Sequence, residues 1–141
     1  MRLALVAGLL SGCAYTRQQA VDPDASLYER LGGRPGLTAV LKDFSHLLTQ
    51  DERINGFFIG VDLERVDRML YEQICEVTGG PCKYTGREMK SLHTGMNITE
   101  AQFNALVEDL ARSLSQNGVA MKEQQELLSI LGSLKNEIVN R

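Results

Sequence analysis

Two histidines, His46 and His93, and three cysteines, Cys13, Cys75 and Cys82, are the side chains with which this sequence could bind a metal or form a covalent bond. His46 follows Phe44 at a position that the apolar stripe of its helix leaves to one side, which predicts a surface or boundary place. His93 comes after a glycine-bearing loop and before Thr94-Gly95-Met96. A neutral imidazole so placed could give one ring nitrogen to a metal while a backbone carbonyl holds the N–H of the other. A zinc cage is disfavoured, because neither Cys-x-x-Cys nor His-x-x-x-His spacing occurs. Cys75 and Cys82 flank six residues that include a tight turn. In an oxidising compartment they could close a disulfide over the end of a helix, and otherwise they stay thiols; spacing leaves both open. The sequence has no nucleophile elbow, P-loop or dinucleotide fingerprint.

The elements that must position these residues read as helices. Ser26 and Glu29 have capping-box spacing, and Gly32-Gly33 stops the short helix they open. Pro35 suits the first turn of a second helix that turns Leu37, Val40, Leu41, Phe44 and Leu48 inward and Lys42, Asp43 and Gln50 outward. Asn55-Gly56 breaks the pattern and Phe57-Phe58 follows. A third helix carries the stripe Leu63, Val66, Leu70, Ile74 and Val77 and stops at Gly79-Gly80-Pro81. Residues 82–90 read as a loop, with one helical turn near residues 87–92. Thr99 and Gln102 form a second capping box, opening a helix with Phe103, Leu106, Val107, Leu110 and Leu114 inward. After Asn117-Gly118, one last helix runs from Met121, with Leu127, Leu131, Leu134 and Ile138 on one face and Glu123, Gln124 and Lys135 off it. No segment alternates with a two-residue period, so the predicted class is all-α.

At 141 residues the chain has room for one domain. A net charge of −3 with 6% aromatic residues supplies neither a basic stripe nor a stacking platform, so nucleic acid is not expected as a partner. Residues 1–13 hold one basic residue, Arg2, then the apolar run 3–10, which is shorter than the roughly 20 residues a spanning helix needs. That layout is an export signal's. Leu10-Ser11-Gly12-Cys13 resembles the lipobox of bacterial lipoproteins. The resemblance implies a signal peptide over residues 1–12, lipidation at Cys13, a polar tether over residues 13–25 and a domain over residues 26–141. It also implies membrane attachment through acyl chains on the exported side of the cell envelope. Ala14, rather than aspartate, after the cysteine implies the periplasmic face of the outer membrane in a Gram-negative cell. An ordinary signal peptide, or a start placed upstream of a cytosolic domain, are the alternatives.

In combination, Leu27-Tyr28-Glu29-Arg30-Leu31-Gly32-Gly33, Asp51-Glu52-Arg53-Ile54-Asn55-Gly56-Phe57-Phe58, Thr78-Gly79-Gly80-Pro81-Cys82-Lys83-Tyr84-Thr85-Gly86-Arg87 and Met89-Lys90-Ser91-Leu92-His93 resemble the group I truncated haemoglobins. The resemblance runs from Ser26 to about Val139. It implies a truncated, two-over-two globin-like helical sandwich around one haem b, iron protoporphyrin IX, with His93 as the iron ligand. Phe58 would pack on the porphyrin, Phe44 match the aromatic residue late in the second helix, and Tyr84, with Lys83 or Arg87, run along the haem edge near the propionates. Leu63, Val66, Met69, Leu70 and Met89 complete the implied cofactor contacts. A porphyrin needs an apolar crevice with one axial donor, and Phe44, Phe57, Phe58, Leu63, Met89, Leu92, Phe103 and Val107 could supply it around His93. Singly, the aromatic and Met positions are better explained as core packing, and it is their joint register with His93 that points to the cofactor.

The chain departs from the family where a bound gas would be held. Many members carry a tyrosine after the second-helix phenylalanine and glutamines on the distal helix; here Ser45 follows Phe44, and Val66, Met69 and Leu70 stand at the distal positions. Without those donors, bound dioxygen loses hydrogen bonds worth roughly 1–3 kcal/mol each. Fast oxygen release and at most weak nitric-oxide dioxygenase activity are therefore expected, with a water between Ser45 and the ligand as the remaining polar route. The expected function is reversible binding of a diatomic gas, oxygen or nitric oxide with carbon monoxide as a further ligand, served by an unknown reductase. One alternative is an electron-transfer or haem-handling lipoprotein in which Met69 is the sixth iron ligand, since a Met/His pair raises the haem potential. Another is a helical lipoprotein without haem that binds envelope partners.

Overall fold

The computed structural model describes residue 22 and residues 24–141, so the signal, the lipidated Cys13 and nearly all of the tether expected for residues 1–25 lie outside the described residues. Helix α1, Leu27–Arg30, is one turn long and is held open by its cap: the Ser26 hydroxyl accepts from the Glu29 N–H, and the Glu29 carboxylate accepts from the Ser26 N–H at 2.9 Å. Gly32, at φ 92°, turns the chain into α2, Gly33–Gln50. A side chain there would pay for a left-handed backbone that glycine adopts freely. The inward stripe of α2 is as its spacing predicts, with Leu37, Val40, Leu41, Phe44 and Leu48 all buried. Of the residues expected outside, Lys42 and Gln50 are exposed. Asp43 is half-buried and accepts from the Asn117 amide at 2.8 Å.

A 3-10 turn at Asn55–Phe58 leads to α3, Leu63–Val77, whose N-cap is Asp62. The Asp62 carboxylate accepts from the Arg65 N–H, satisfying one of the donors that a helix start leaves over. Val77, expected inside, is exposed, because the buried face at this end of the helix is carried by Ile74, Cys75 and the C-cap Thr78, and Val77 points off it. The short turn after the loop is α4, Met89–His93, and α5, Glu100–Gln116, opens on the Thr99 and Gln102 capping box.

The expected single last helix is two. Helix α6, Met121–Gly132, stops at Ser133, and α7, Lys135–Ile138, leaves in a new direction to pack against α4. Glycine followed by serine is a weak point in a helix, and the Ser133 hydroxyl donates to the Ile130 carbonyl where the ladder ends. Gln124, expected outside, is buried and fully engaged: its amide N–H donates to the Val119 carbonyl at 2.8 Å and its oxygen accepts from the Ser115 hydroxyl.

Helix α2 packs across α5 and beside α3, while α6 packs beside α5, giving two helix pairs laid over one another. Small residues of α5 are buried in this packing: Ala105 is fully buried, and the buried Ser113 hydroxyl donates to the Val40 carbonyl of α2 at 2.6 Å. Arg30 fastens α1 to α6 through Glu123 at 2.8 Å and Glu126 at 2.7 Å. Among the described residues there is no strand, and no helix is long and apolar enough to cross a membrane.

Asp109 on α5 is buried, and its Oδ2 has no hydrogen-bond partner. Burial, and then the charge of Asp51, push its carboxyl above the ordinary aspartate value, against the pull of Arg53 and Arg112. An acid whose folded value is raised costs stability at higher pH, a cost relieved as pH falls through the folded value toward the unfolded one. Asp109→Asn is therefore expected to raise stability at pH 7 by about 1 kcal/mol, with the gain shrinking toward pH 4. Urea denaturation of both proteins at the two pH values measures it.

Candidate functional site

The helices enclose a largely apolar cavity of about 500 Å³, within the range of sites for large organic ligands. One wall is the face of α3 that carries Val66, Met69, Leu70 and Gln73, which are spaced so that they project together. The other walls are Phe44 and Leu48 of α2, Phe57 and Phe58 of the 3-10 turn, Met89, Leu92 and His93 of α4, and Gln102, Phe103 and Leu106 of α5. Ile138 of α7 closes the far side.

His93 is the cavity's one imidazole. Its Nδ1–H donates to the Met89 carbonyl one turn back in α4, at 2.8 Å. The carbonyl can only accept, so Nδ1 carries a proton, and in the neutral imidazole it is Nε2 that has the free lone pair. The carbonyl contact is the one that the sequence reading allows for this ring. His46, in contrast, is exposed on α2. No cluster of three or more metal-binding side chains occurs among the described residues, so any metal held here must bring other ligands with it.

The segment between α3 and α4 is held against α3 by carboxylates. Glu76 accepts from the Tyr84 N–H at 2.9 Å and pairs with Lys83 at 3.0 Å, and both hold its carboxyl below the ordinary value. Glu72 accepts from the Thr85 hydroxyl at 2.6 Å and the Thr85 N–H at 2.9 Å, with the same effect on its carboxyl. Tyr84 lies on the cavity wall with its hydroxyl donating to the Arg87 carbonyl, and burial pushes its phenol above the ordinary value. Cys75 and Cys82 form a disulfide, which settles the choice that their spacing leaves open.

Of the residues expected around the cofactor, His93, Phe44, Phe58, Tyr84, Met89, Val66, Met69 and Leu70 all line the cavity, as do Phe57, Leu92 and Phe103. Leu63 and Val107 do not. At 100° per residue Leu63 stands at the edge of the face centred on Val66 and Gln73, and Leu106 takes the place expected of Val107. Of Lys83 and Arg87, Lys83 is engaged by Glu76 and Arg87 lies on the wall. Ser45 is turned away: its hydroxyl donates to the Asp67 carboxylate, so it is not the polar route into the cavity.

Arg65 and Gln73 were not singled out by sequence, because hydropathy assigns polar residues to the solvent side of a helix. Helical spacing from Val66 and Met69 was the signal that places both on the same face. Gln73 makes no side-chain hydrogen bond to the described residues, and neither Arg65 nor Arg87 has an ion-pair partner among them, so these groups remain available to whatever the cavity holds.

Residues 26–140 match the bacterial-like globin family. The group 1 truncated haemoglobin of Mycolicibacterium paratuberculosis is 35% identical over 114 residues, covering 81% of this chain and 84% of that protein. The crystal structure of the Tetrahymena pyriformis truncated haemoglobin in its Fe(III) form superposes with a TM-score of 0.80 at 27% identity, covering 83% of this chain and all of that one. The 2/2 haemoglobin of a Synechococcus species, solved in the cyanomet state with covalently attached haem, superposes with a TM-score of 0.77 at 29% identity and the same coverage.

Proposed function

Because the chain belongs to the bacterial-like globin family, as a group 1 truncated haemoglobin, we propose that it holds one haem b through His93 and there binds a diatomic gas reversibly. Haem-based gas binding is the family's general function. The observation that carries the finer reading is the His93 ring, fixed by the Met89 carbonyl and offering Nε2 at the wall of an apolar cavity.

The other lining residues fit the same group. Arg65 and Arg87 bring two guanidinium groups without ion-pair partners among the described residues, which suits the two propionate carboxylates of the porphyrin. Phe44, Phe58 and Met89 supply apolar contact area for the porphyrin faces. A bound haem, held by His93, would supply an iron able to take a diatomic molecule. The α3 wall meets that molecule with Val66, Met69 and Leu70, while the Ser45 hydroxyl is committed to Asp67. This favours binding with fast release over a dioxygenase, which must hold a partly charged oxygen, and a reductase is the partner that keeps the iron ferrous.

A second reading rests on the Met69 thioether at the cavity wall, a soft donor suited to a sixth iron ligand and hence to electron transfer. The purified chain, supplied with haem, is expected to show a ferrous Soret band that shifts on adding carbon monoxide. His93→Gly is expected to lower bound haem about tenfold or more, with imidazole restoring it. A six-coordinate ferrous spectrum that becomes five-coordinate in Met69→Ala would select the second reading. Failure to take up haem would leave the third, a helical protein that binds envelope partners.

For location we propose the cell envelope, with Cys13 lipidated after removal of residues 1–12. The Cys75–Cys82 disulfide supports an oxidising compartment and leaves Cys13 as the third cysteine of the sequence. In a bacterial host, radiolabelled fatty acid is expected to enter the full chain and not Cys13→Ser. Equal labelling, or none in either, would send the chain elsewhere.

A further inference from the structure

One covalent bond crosses between two walls of the cavity. Cys75, fully buried near the end of α3, is bonded to Cys82 at the start of the segment that leads to α4, with the two Cα atoms 5.7 Å apart. Upstream of the bond, α3 contributes Met69, Leu70 and Gln73 to the cavity; downstream, the segment contributes Tyr84 and Arg87. Residues 80–88 have no helix or strand of their own, so no backbone ladder holds them. Apart from the disulfide, their ties to α3 are the Gly80 N–H donating to the Cys75 carbonyl at 2.7 Å, upstream of the bond, and, downstream of it, the bonds from Glu72 and Glu76 to Thr85, Tyr84 and Lys83, which involve partly or fully exposed groups that water and salt weaken.

We propose that the Cys75–Cys82 disulfide is a redox-sensitive clasp that sets how long the cavity keeps its haem, an inference that rests on the haem-binding reading above. Its substrate class is a dithiol. The dithiol's thiolate attacks the Cys82 sulfur, the half-buried end of the bond, and Cys75 leaves as a thiolate that takes up a proton. The dithiol's second sulfur then displaces Cys82. The Cys75–Cys82 bond is broken, each cysteine ends as a thiol, and the dithiol has become a disulfide. The approach is one-sided, because the Gly80 backbone covers Cys75: a Cβ added there would lie 2.6 Å from the Cys75 sulfur and 2.8 Å from the Tyr28 ring. Once the clasp is open, the wall carrying Tyr84 and Arg87 is tethered to α3 by the exposed carboxylate bonds, and it swings from the cavity more often. His93 sits on α4 and is held by Met89 and by the packing of α7, which the clasp does not touch.

The test is the rate at which the ferric, haem-loaded full chain passes haem to an excess of an apoglobin acceptor. Three samples are compared: the disulfide form, the same protein reduced with dithiothreitol and alkylated, and Cys75→Ser/Cys82→Ser. Helical circular dichroism and the carbon-monoxide spectrum of the ferrous forms are followed alongside. Transfer at least tenfold faster from both opened forms, with helix content and the carbon-monoxide spectrum unchanged, is the expected result. Rates within twofold of one another overturn the clasp and leave the haem reading intact, as does acceleration no greater than the loss of helix explains. A disulfide form that takes up no haem overturns the haem reading, and the clasp falls with it.

Discussion

A helix of five residues cannot hold itself together in water, and α4 nevertheless carries the one imidazole of the cavity. The hydrogen bond from His93 Nδ1 to the Met89 carbonyl is the constraint around which the rest is arranged. It fixes the ring only if Met89 is itself fixed, and Met89 is buried against the cavity. The helix is held from below by α7. The chain end is tied to the residues leaving α4 by the Asn97 N–H donating to the Arg141 carbonyl, and by the Asn140 N–H donating to the Ile98 carbonyl, both at 2.9 Å. The break between α6 and α7 therefore has a purpose that a continuous helix could not serve: it bends the end of the chain back under α4.

The second requirement is a cavity inside a small domain whose core must still be dense. Helix α2 meets it by dividing its stripe. Leu37, Val40 and Leu41 go wholly to the core shared with α5, while Phe44 and Leu48 face both the core and the cavity. The Ser113 hydroxyl, donating to the Val40 carbonyl, ties α5 to α2 within that core, while the cavity is lined from α2, α3, α4 and α5. Truncating Phe44 would thus damage two things together, the core contact, worth about 3–5 kcal/mol for a buried phenylalanine, and the wall.

What the sequence revealed followed from periodicity and fixed local chemistry. The stripe of α2, both capping boxes and the carbonyl-held histidine all concern residues within one or two turns of each other. What it hid depended on distant partners or on helix phase. Leu63 and Val107 were each assigned to the cavity because a stripe read from apolar residues alone has a phase uncertain by about one position. Gln124 was placed outside, and Arg65 and Gln73 were not singled out, because polarity was read as exposure; Gln124 is buried on Val119 and Ser115, Gln73 is half-buried on the cavity wall, and Arg65 lines the cavity while staying exposed. The α6 and α7 break was invisible because Leu134 and Ile138 continue the spacing across it. The disulfide depends on how the turn at Gly79 and Gly80 brings two distant sulfurs together, and composition carries no information on that geometry.

The way this chain spends its polar side chains near the cavity separates two kinds of recognition. Hydroxyls that could have reached inside are matched to other protein groups: Ser45 to Asp67, Tyr84 to the Arg87 carbonyl, and Tyr28 to Tyr71, whose ring also lies under the Arg34 guanidinium at 5.1 Å. Two cations on the wall, Arg65 and Arg87, are exposed and have no ion-pair partner among the described residues, which leaves each guanidinium free to take an anion. On the proposed reading the porphyrin carboxylates provide it, so charge recognition selects the cofactor. The α3 wall between is apolar at Val66, Met69 and Leu70, and an apolar wall discriminates by size and not by charge. A small neutral molecule enters such a space at little cost, and one that must acquire negative charge to stay finds nothing there to hold it.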